Sequence, residues 1–203
     1  MEGYLVRTLL AFAILSLFNH INPCTATLLP NEPNTDFIRT SCKVTLHPIL
    51  CYNSLKDYAC KIQTDPKLLA YTAINVTLEF TKQSLATVKR FQEIGGLNPV
   101  LASTMEACAN ELTVAMDDIQ NSKEGLEDHV TEGSDPKLEM GETQAWLNAG
   151  LTIEQKCFDG FAVGHLDGKV ETLTRRNIMK VAHLTSNAVQ LLNHYALSKV
   201  IYP

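Results

Sequence analysis

Apolar residues recur at every third or fourth position along most of the chain, the spacing that places side chains on one face of an α-helix. Four long segments carry this stripe, at about residues 65–93, 99–124, 137–161 and 169–199. Asp65 followed by Pro66 is a typical helix start for the first segment, and Gly95 with Gly96 is a typical end. From Asp36 onward no sustained run alternates β-branched and polar residues. The pattern therefore predicts an all-α fold.

Four helices of this length, joined by short loops, are expected to pack as an up-down-up-down four-helix bundle over about residues 64–199. The glycine at position 125 and the polar residues up to position 136 are expected to form the loop before the third helix. The predicted inward stripe of the third helix consists of Trp146, Gly150, Ile153, Cys157 and Phe161.

The first 26 residues have the pattern of a secretory signal peptide. Arg7 precedes an apolar run, Leu9–Phe18, of about ten residues, whereas a membrane-spanning helix needs about 20. A polar stretch follows and ends in Ala26, after which we expect cleavage. No later stretch is apolar enough to cross a bilayer, so we expect a secreted protein of the extracellular space without a membrane anchor. Residues 27–35 contain two prolines and are expected to be an irregular lead-in.

A short helical hairpin is predicted over residues 36–60. His47 and Pro48 interrupt any helix at that point, and the turn brings Cys42 and Cys51 together. The stretch from Cys51 to Cys60 holds neither Gly nor Pro. As a helix it separates its ends by about 13 Å, whereas a disulfide allows about 7 Å between α-carbons. We therefore expect a Cys42–Cys51 disulfide.

The other cysteines lie in the bundle and at the end of the hairpin. Cys108 and Cys157 fall on the inward stripes of the second and third helices, which are antiparallel neighbours, so we expect a second disulfide between them. Cys24 leaves with the signal peptide, and Cys60 is then expected to be a free thiol, small and buried. A zinc site of Cys42, Cys51, Cys60 and His47 is not favoured, because the spacing is not C-x₂₋₄-C and the compartment is oxidising.

The charge balance argues against nucleic acid as a partner. The chain has 17 Lys and Arg against 22 Asp and Glu, a formal net charge of −5. Nucleic-acid-binding proteins need clustered positive charge to meet the phosphates. Hydrophobic residues make up 45% of the chain, which is enough to fill a core.

Sequence motifs that mark enzymes are absent. The chain contains no G-x-S-x-G, H-E-x-x-H, P-loop or G-x-G-x-x-G pattern. Neighbouring acids do occur, as at Asp117 and Asp118, but a glycosidase-like pair needs two carboxylates that converge in a cleft. A bundle with such regular stripes offers little cleft. We therefore expect a protein that is not an enzyme and that uses no cofactor or metal.

The segment Phe37–Ala59 (FIRTSCKVTLHPILCYNSLKDYA) resembles the opening of the plant invertase and pectin methylesterase inhibitor domain, which begins with a two-cysteine helical hairpin. The resemblance covers about residues 36–197. It implies a four-helix bundle with an N-terminal hairpin and the same two disulfides as expected above. Further marks of the family follow in order: Asp65-Pro66, Cys108, Trp146–Phe161 (WLNAGLTIEQKCFDGF) and Arg175–Leu192 (RRNIMKVAHLTSNAVQLL).

This resemblance implies a protein inhibitor in the plant cell wall, or apoplast, and we expect a free-standing one because no esterase domain follows. One branch of the family blocks pectin methylesterase by covering its substrate cleft in a one-to-one complex. The other blocks acid invertase with a P-K-F motif near the third helix. Here the comparable residues are Pro136, Lys137 and Leu138. The missing aromatic favours pectin methylesterase, with acid invertase, or a pectin- or wall-binding module without inhibitory action, as alternatives.

The resemblance also implies which residues contact the partner. Esterase inhibitors often carry acids six and nine residues after the cysteine of helix two, and often Thr before and an acid two after the cysteine of helix three. We expect the helix-two positions to be exposed because they lie opposite the apolar stripe. The residues at or beside these positions, and therefore the predicted partner-binding set, are Val114, Asp117, Asp118, Lys156 and Asp159.

Two further surface features accompany these residues. The sequon Asn75-Val76-Thr77 predicts N-glycosylation in the middle of the first long helix. The fourth helix carries a basic patch, for which weak contact with anionic pectin is the alternative to simple solvation. The patch consists of Arg175, Arg176, Lys180 and His183.

Overall fold

Residues 33–94, 96–127, 136–163 and 168–201 are described in the computed structural model of the protein. The predicted signal peptide, its cleavage site and the lead-in up to residue 32 lie outside these residues. Every regular element in the described ranges is a helix. The all-α prediction is therefore confirmed for this part of the chain.

The N-terminal hairpin is built from short helices on either side of the His47–Pro48 turn. It comprises α1 (Pro33–Ser41), a 3₁₀ turn (Cys42–Val44), α2 (Pro48–Leu55), a second 3₁₀ turn (Lys56–Tyr58) and α3 (Ala59–Ile62). Helix α1 begins inside the segment that was predicted to be an irregular lead-in. Pro33 occupies its first position, where a missing N–H costs nothing.

Four long helices follow, and side-chain caps start the first two. Asp65 Oδ1 accepts hydrogen bonds from the backbone N–H groups of Lys67, at 2.7 Å, and Leu68, at 3.1 Å. Asn98 Oδ1 accepts one from the N–H of Leu101 at 2.8 Å. The helices are α4 (Pro66–Ile94), α5 (Pro99–Glu127), α6 (Pro136–Val163) and α7 (Lys169–Ile201).

Gly125 does not begin a loop, as the sequence had suggested, because α5 continues through it to Glu127. A β-carbon at this position would lie 2.6 Å from Thr143 Oγ1 of α6. The glycine is therefore required for close packing of two helices and not for a turn. Gly150 has a similar role, since a β-carbon there would lie 3.0 Å from the side chain of Ile119.

The long helices form an antiparallel square in which each packs against two others. Helix α5 packs between α4 and α6, and α7 packs against α4 and α6 to close the square. The α4–α7 side of the bundle is therefore opposite the α5–α6 side. The hairpin packs on the α4–α7 side, through contacts of α2 with α4 and with α7.

The two predicted disulfides are present. Cys42 and Cys51 are bonded with α-carbons 5.7 Å apart, and Cys108 and Cys157 with α-carbons 4.7 Å apart.

The prediction that Cys60 is a free, buried thiol is wrong. Cys60 is exposed and disulfide-bonded, and the described residues hold no free cysteine. The prediction rested on an odd cysteine count after removal of residue 24, and counting alone does not determine whether a given thiol is oxidised.

The inward stripe of α6 also differs from the predicted one. Trp146 is 45% exposed, and Leu147 takes the buried position beside it. Ile153 is likewise only partly buried, and Glu154 takes the buried position next to it. A glutamate in the stripe hid the true helical phase, because the pattern was read from apolar residues alone.

Glu154 lies at the centre of the bundle and its carboxyl group is bound by two threonines. Thr185 Oγ1 of α7 lies 2.6 Å from Glu154 Oε2, and Thr81 Oγ1 of α4 lies 3.3 Å from Oε1. Burial raises the pKa of Glu154 to about 8, although both threonine hydrogen bonds act in the opposite direction. The carboxyl group is therefore protonated in mildly acidic solution.

The hairpin is attached to α7 through its turn. The backbone N–H of His47 donates to Asn187 Oδ1, and Asn187 Nδ2 donates to the carbonyl oxygen of His47, both at 3.0 Å. The ring of His47 stacks on the ring of His183 with centroids 3.6 Å apart. Burial, and to a lesser degree the neighbouring His47, lowers the pKa of His183.

We expect the stability of the bundle to fall as the pH rises, because of Glu154. Folded Glu154 keeps its proton up to about pH 8, whereas the unfolded chain releases it near its ordinary pKa of 4.5. Protonated Glu154 therefore contributes its full stabilisation below pH 4.5. The free energy of unfolding then falls by a few kcal/mol as the pH approaches 8. Thermal unfolding followed by circular dichroism from pH 5 to pH 9 measures this. In Glu154→Gln the amide stays neutral and this loss disappears.

The control for this experiment is Glu142→Gln, which changes an exposed glutamate on the same helix. Its unfolding temperature should follow that of the wild type at every pH. Parallel pH profiles for Glu154→Gln and the wild type would contradict the assignment of the pH dependence to Glu154.

Removal of the disulfide between α5 and α6 should destabilise the bundle. The Cys108–Cys157 bridge closes a sequence separation of 49, and the double variant Cys108→Ala/Cys157→Ala should lose roughly 3–4 kcal/mol of unfolding free energy by the chain-entropy model. The matched variant Cys42→Ala/Cys51→Ala opens a separation of only 9 and should lose about 1.5 kcal/mol less. Urea unfolding of both variants gives the two values. Equal midpoints for the first variant and the wild type would show that the bridge does not stabilise the bundle.

Candidate protein-binding face

Helices α5 and α6 together form a surface that we call the acidic face. They contain ten Asp and Glu against three Lys and Arg, a formal charge of −7 in a chain whose total is −5. Two of the predicted contact residues, Asp117 on α5 and Asp159 on α6, are exposed on it. The prediction that these two carboxylates lie at the surface is confirmed.

The register of the two helices fixes where these carboxylates stand. Cys108 is bonded to Cys157 and Thr104 packs at Gly160, so position 106 of α5 is level with Asp159. Asp117 is eleven residues further along α5, which is about 16 Å at 1.5 Å per residue. The two carboxylates therefore lie far apart along the bundle axis and present separate negative charges.

Lys156 is positioned between the two carboxylates by an ion pair across the helix pair. Its Nζ lies 3.0 Å from Glu111 Oε1 of α5. The lysine side chain is largely exposed, so this pair contributes little to stability. Its effect is to place one positive charge in the middle of a negative surface.

Asp118 does not belong to the acidic face as an exposed group, and the prediction that it is exposed is wrong. It is only 8% exposed, because its β-carbon packs where Gly150 of α6 leaves room. Burial, and then the neighbouring carboxylate of Asp117, raises the pKa of Asp118. The helix turns by about 100° from one residue to the next, so of two adjacent aspartates only Asp117 points to solvent.

Val114 and Trp146 add apolar surface to the acidic face. Val114 is 51% exposed, as predicted, and lies between Glu111 and Asp118, which both turn toward α6. Trp146 is 45% exposed. It is ten residues before Lys156, and the 3–4–3 spacing through positions 149 and 153 places the two on the same edge of α6. The sequence analysis missed Trp146 because it assigned the residue to the core.

The remaining sequence motifs fall elsewhere. Pro136, Lys137 and Leu138 form the first turn of α6 rather than a loop. Asn75 is partly buried on α4, and the hydroxyl of Thr77 donates to the carbonyl oxygen of Ala73. Glycosylation of Asn75 remains a prediction.

The basic patch of the fourth helix divides into two parts. Arg176 and Lys180 are exposed. Arg175 pairs with Glu171 at 3.2 Å and lies over the ring of Phe158. His183, as described above, is partly buried against the hairpin.

Neither a metal site nor a membrane-spanning helix is found in the described residues. They contain no group of three or more His, Cys, Asp and Glu side chains that is arranged to hold a metal ion. None of the described helices is both long and apolar enough to cross a membrane.

The sequence profile of the plant invertase/pectin methylesterase inhibitor family matches residues 36–191, which include the hairpin and most of the bundle. The chain belongs to this family. The family is defined by an inhibitor domain, which makes up most of this chain, and this confirms the prediction that the chain is not an enzyme.

Two relatives illustrate the match. Pectinesterase inhibitor 10 of Arabidopsis thaliana is 37% identical over 168 residues, which cover 82% of this chain and 53% of that protein. The 21 kDa protein of Daucus carota is 35% identical over 165 residues, which cover 81% of this chain and 86% of that protein. The chain thus spans about half the length of the first relative and most of the second.

The fold agrees with that of a solved inhibitor. A crystal structure of a mutant form of a pectin methylesterase inhibitor from Arabidopsis matches with a TM-score of 0.60, over 77% of this chain and 95% of that one. The identity is 20%, so the likeness concerns the fold alone. It confirms the predicted bundle with its N-terminal hairpin.

Proposed function

We propose that the protein is a secreted inhibitor of pectin methylesterase. It binds the enzyme non-covalently in a one-to-one complex, and its acidic face covers the cleft that binds pectin. The observation that carries the proposal is the exposure of Asp117, Asp159, Val114 and Trp146 on one helix pair. The names of the relatives support the choice of enzyme.

Charge complementarity is the first physical reason for this pairing. An enzyme that binds a polymer of carboxylates needs hydrogen-bond donors and positive charge along its groove. Asp117 and Asp159 present carboxylates at two separate places, much as a pectin chain does. Complementary charges raise the association rate and set the orientation of the complex.

The exposed apolar residues supply the second reason. Protein interfaces draw most of their binding free energy from a few central residues, and tryptophan is prominent among them. Trp146 and Val114 lie between and beside the charged groups of the acidic face, so water leaves them when a partner covers this face. We therefore expect Trp146 to contribute more binding free energy than either aspartate.

Rigidity of the helix pair is the third reason. The Cys108–Cys157 bridge joins α5 to α6 inside the face, and Gly125 and Gly150 allow the two backbones to approach closely. A partner that binds a preformed surface loses less conformational entropy on association. The face is thus suited to block a groove without changing shape.

Acid invertase is the second candidate, because the family contains inhibitors of both enzymes. The sequence at positions 136–138 is Pro-Lys-Leu, without the aromatic residue that the resemblance associates with invertase inhibition. Titration of the purified protein against both enzymes separates the two activities. Inhibition of acid invertase alone would contradict the proposal.

Secretion and glycosylation are parts of the same proposal. The disulfides at Cys42–Cys51 and Cys108–Cys157 are typical of proteins that fold in an oxidising compartment. Asn75 is then available to the glycosylation machinery before the chain folds, and peptide mapping of the exported protein measures its occupancy.

The acidic face is tested by truncating its exposed residues. Asp117→Ala/Asp159→Ala should lower the association rate with pectin methylesterase and weaken inhibition, most at low salt. Trp146→Ala should weaken it by about 2 kcal/mol, or roughly 30-fold, mainly through faster dissociation. Surface plasmon resonance gives both rates.

The matched control is Glu93→Ala/Asp57→Ala. It removes one carboxylate from α4, which is not part of the acidic face, and one from the hairpin. Both residues are exposed, and their loss changes the net charge by the same amount. Association with the esterase should be close to that of the wild type. If the control and Asp117→Ala/Asp159→Ala weaken the complex equally, net charge and not the acidic face governs binding.

A further inference from the structure

The side of the bundle opposite the acidic face has the opposite charge. Helices α4 and α7 contain nine Lys and Arg against three Asp and Glu, a formal charge of +6. Helices α5 and α6 carry −7, so charge is separated between the two sides of one small bundle. A net charge of −5 conceals this separation.

Contacts between α4 and α7 fix the heights of the basic residues. Lys180 Nζ of α7 lies 4.0 Å from the ring centroid of Phe80 on α4. Thr81 and Thr185 both bind the carboxyl group of Glu154. The helices are antiparallel, so residues after Phe80 on α4 lie beside residues before Lys180 on α7.

Four exposed cations therefore occupy one half of this side. They span positions 169–180 of α7, about 16 Å along the axis, and the end of α4. We call this surface the basic face. Its residues are Arg90, Lys169, Arg176 and Lys180. Lys82 and Lys89 lie within about 20° of Tyr71 around α4, and Tyr71 contacts Glu127, so these two lysines point to the α5 side.

Acidic residues neutralise little of the basic face. Glu79 pairs with Lys82 at 2.9 Å and the side chain of Glu171 is buried against Arg175, but neither cation belongs to the basic face. Glu93 is the third acid of the two helices. None of the four cations of the basic face takes part in the salt bridges found among the described residues.

The hairpin leaves the basic face open. Its turn is fixed to the other half of α7 by the bonds between His47 and Asn187 and by the stack of His47 on His183. Lys180 and the cations before it in α7 lie beyond that contact. The α4–α7 side thus has one half covered by protein and one half that is positively charged and exposed.

We propose that the basic face binds an extended anionic polysaccharide of the polyuronate type. A row of four cations along about 16 Å suits a linear chain of regularly spaced carboxylates better than a compact ion. A polyanion gains from many weak contacts at once, although each exposed pair is worth little. The choice of a polyuronate rests on the proposed function, because de-esterified pectin is the product of the proposed target enzyme.

The two faces then have separate partners. The acidic face meets the enzyme, and the basic face points away from it toward the product polymer. One inhibitor molecule is able to hold both at the same time. Retention on the polymer raises the local concentration of the inhibitor where de-esterification has already taken place.

The experiment measures binding of the mature protein to immobilised polygalacturonate without any enzyme. Binding is expected in a buffer of about 20 mM salt and should be largely lost at about 500 mM, where the Debye length is only a few ångströms. Fully methyl-esterified pectin, which lacks the charge, should not retain the protein. Arg176→Gln/Lys180→Gln should weaken binding roughly 30-fold, since each of the two cations near an anionic surface contributes a factor of about five.

Lys82→Gln/Lys89→Gln is the matched control, since it removes the same charge from exposed positions of α4 that point away from the basic face. It should bind polygalacturonate as the wild type does. Equal weakening by both variants would overturn the proposal, because net charge alone would then explain binding. The absence of wild-type binding, or equal binding to esterified pectin, would overturn it as well. Retention on polyglutamate but not on polygalacturonate would assign the face to an acidic protein instead.

Complex formation with pectin methylesterase is measured separately, in the absence of pectin. A protein that binds polygalacturonate but no esterase contradicts the proposed function and leaves the basic face as proposed. A protein that binds the esterase but not polygalacturonate contradicts the proposal for the basic face and leaves the proposed function as it stands.

Discussion

The carboxyl group of Glu154 imposes the constraint on which the bundle depends. An apolar core tolerates small axial shifts between helices, whereas a buried carboxyl group needs partners at fixed positions. Glu154 finds them in Thr81 and Thr185, one on each of two other helices. Sliding any of these three helices would leave a polar group unpaired in the core. The register of α4, α6 and α7 follows from this requirement, and the Cys108–Cys157 bridge adds α5 to the set.

A fixed register is also what gives the two faces their shape. Surface charges act together only if the helices that carry them keep the same relative height. On one side, α5 and α6 hold Asp117 and Asp159 about 16 Å apart along the bundle axis. On the other, α7 and the end of α4 place four cations beyond the hairpin. Like charges on one face repel each other at a cost that exposure and salt keep small. The packing of the core offsets this repulsion. The repulsion is unavoidable if each face is to carry one sign of charge and bind a partner of the opposite sign.

Much of this could be predicted from the sequence, because local signals determine it. Asp65-Pro66 is a local signal that starts a helix, and His47-Pro48 is one that breaks it. The second signal was enough to predict the hairpin and its Cys42–Cys51 bridge. Residues whose roles depend on tertiary contacts were missed. Glu154 has the sequence pattern of a surface residue, and only its contacts with Thr81 and Thr185 show that it is buried. The predicted stripe of α6 was therefore out of phase, and it contained Trp146 where the structure buries Leu147. Gly125 resembles a helix end until Thr143 packs on it. Asp118 is buried only because Gly150 makes room.

The buried Glu154 and the partly buried His183 make the bundle and the hairpin respond to pH in opposite directions. The pKa of Glu154 is raised, so its contribution to stability is complete in acid and declines toward pH 8. The pKa of His183 is lowered, so the attachment of the hairpin is strongest above the ordinary histidine pKa of 6.5 and weakens as the pH falls below it. Acid therefore favours the core that aligns the four long helices, and it loosens the hairpin on α7. Neither binding face contains Glu154 or His183, so these two groups make the framework of the bundle, and not its binding faces, respond to pH.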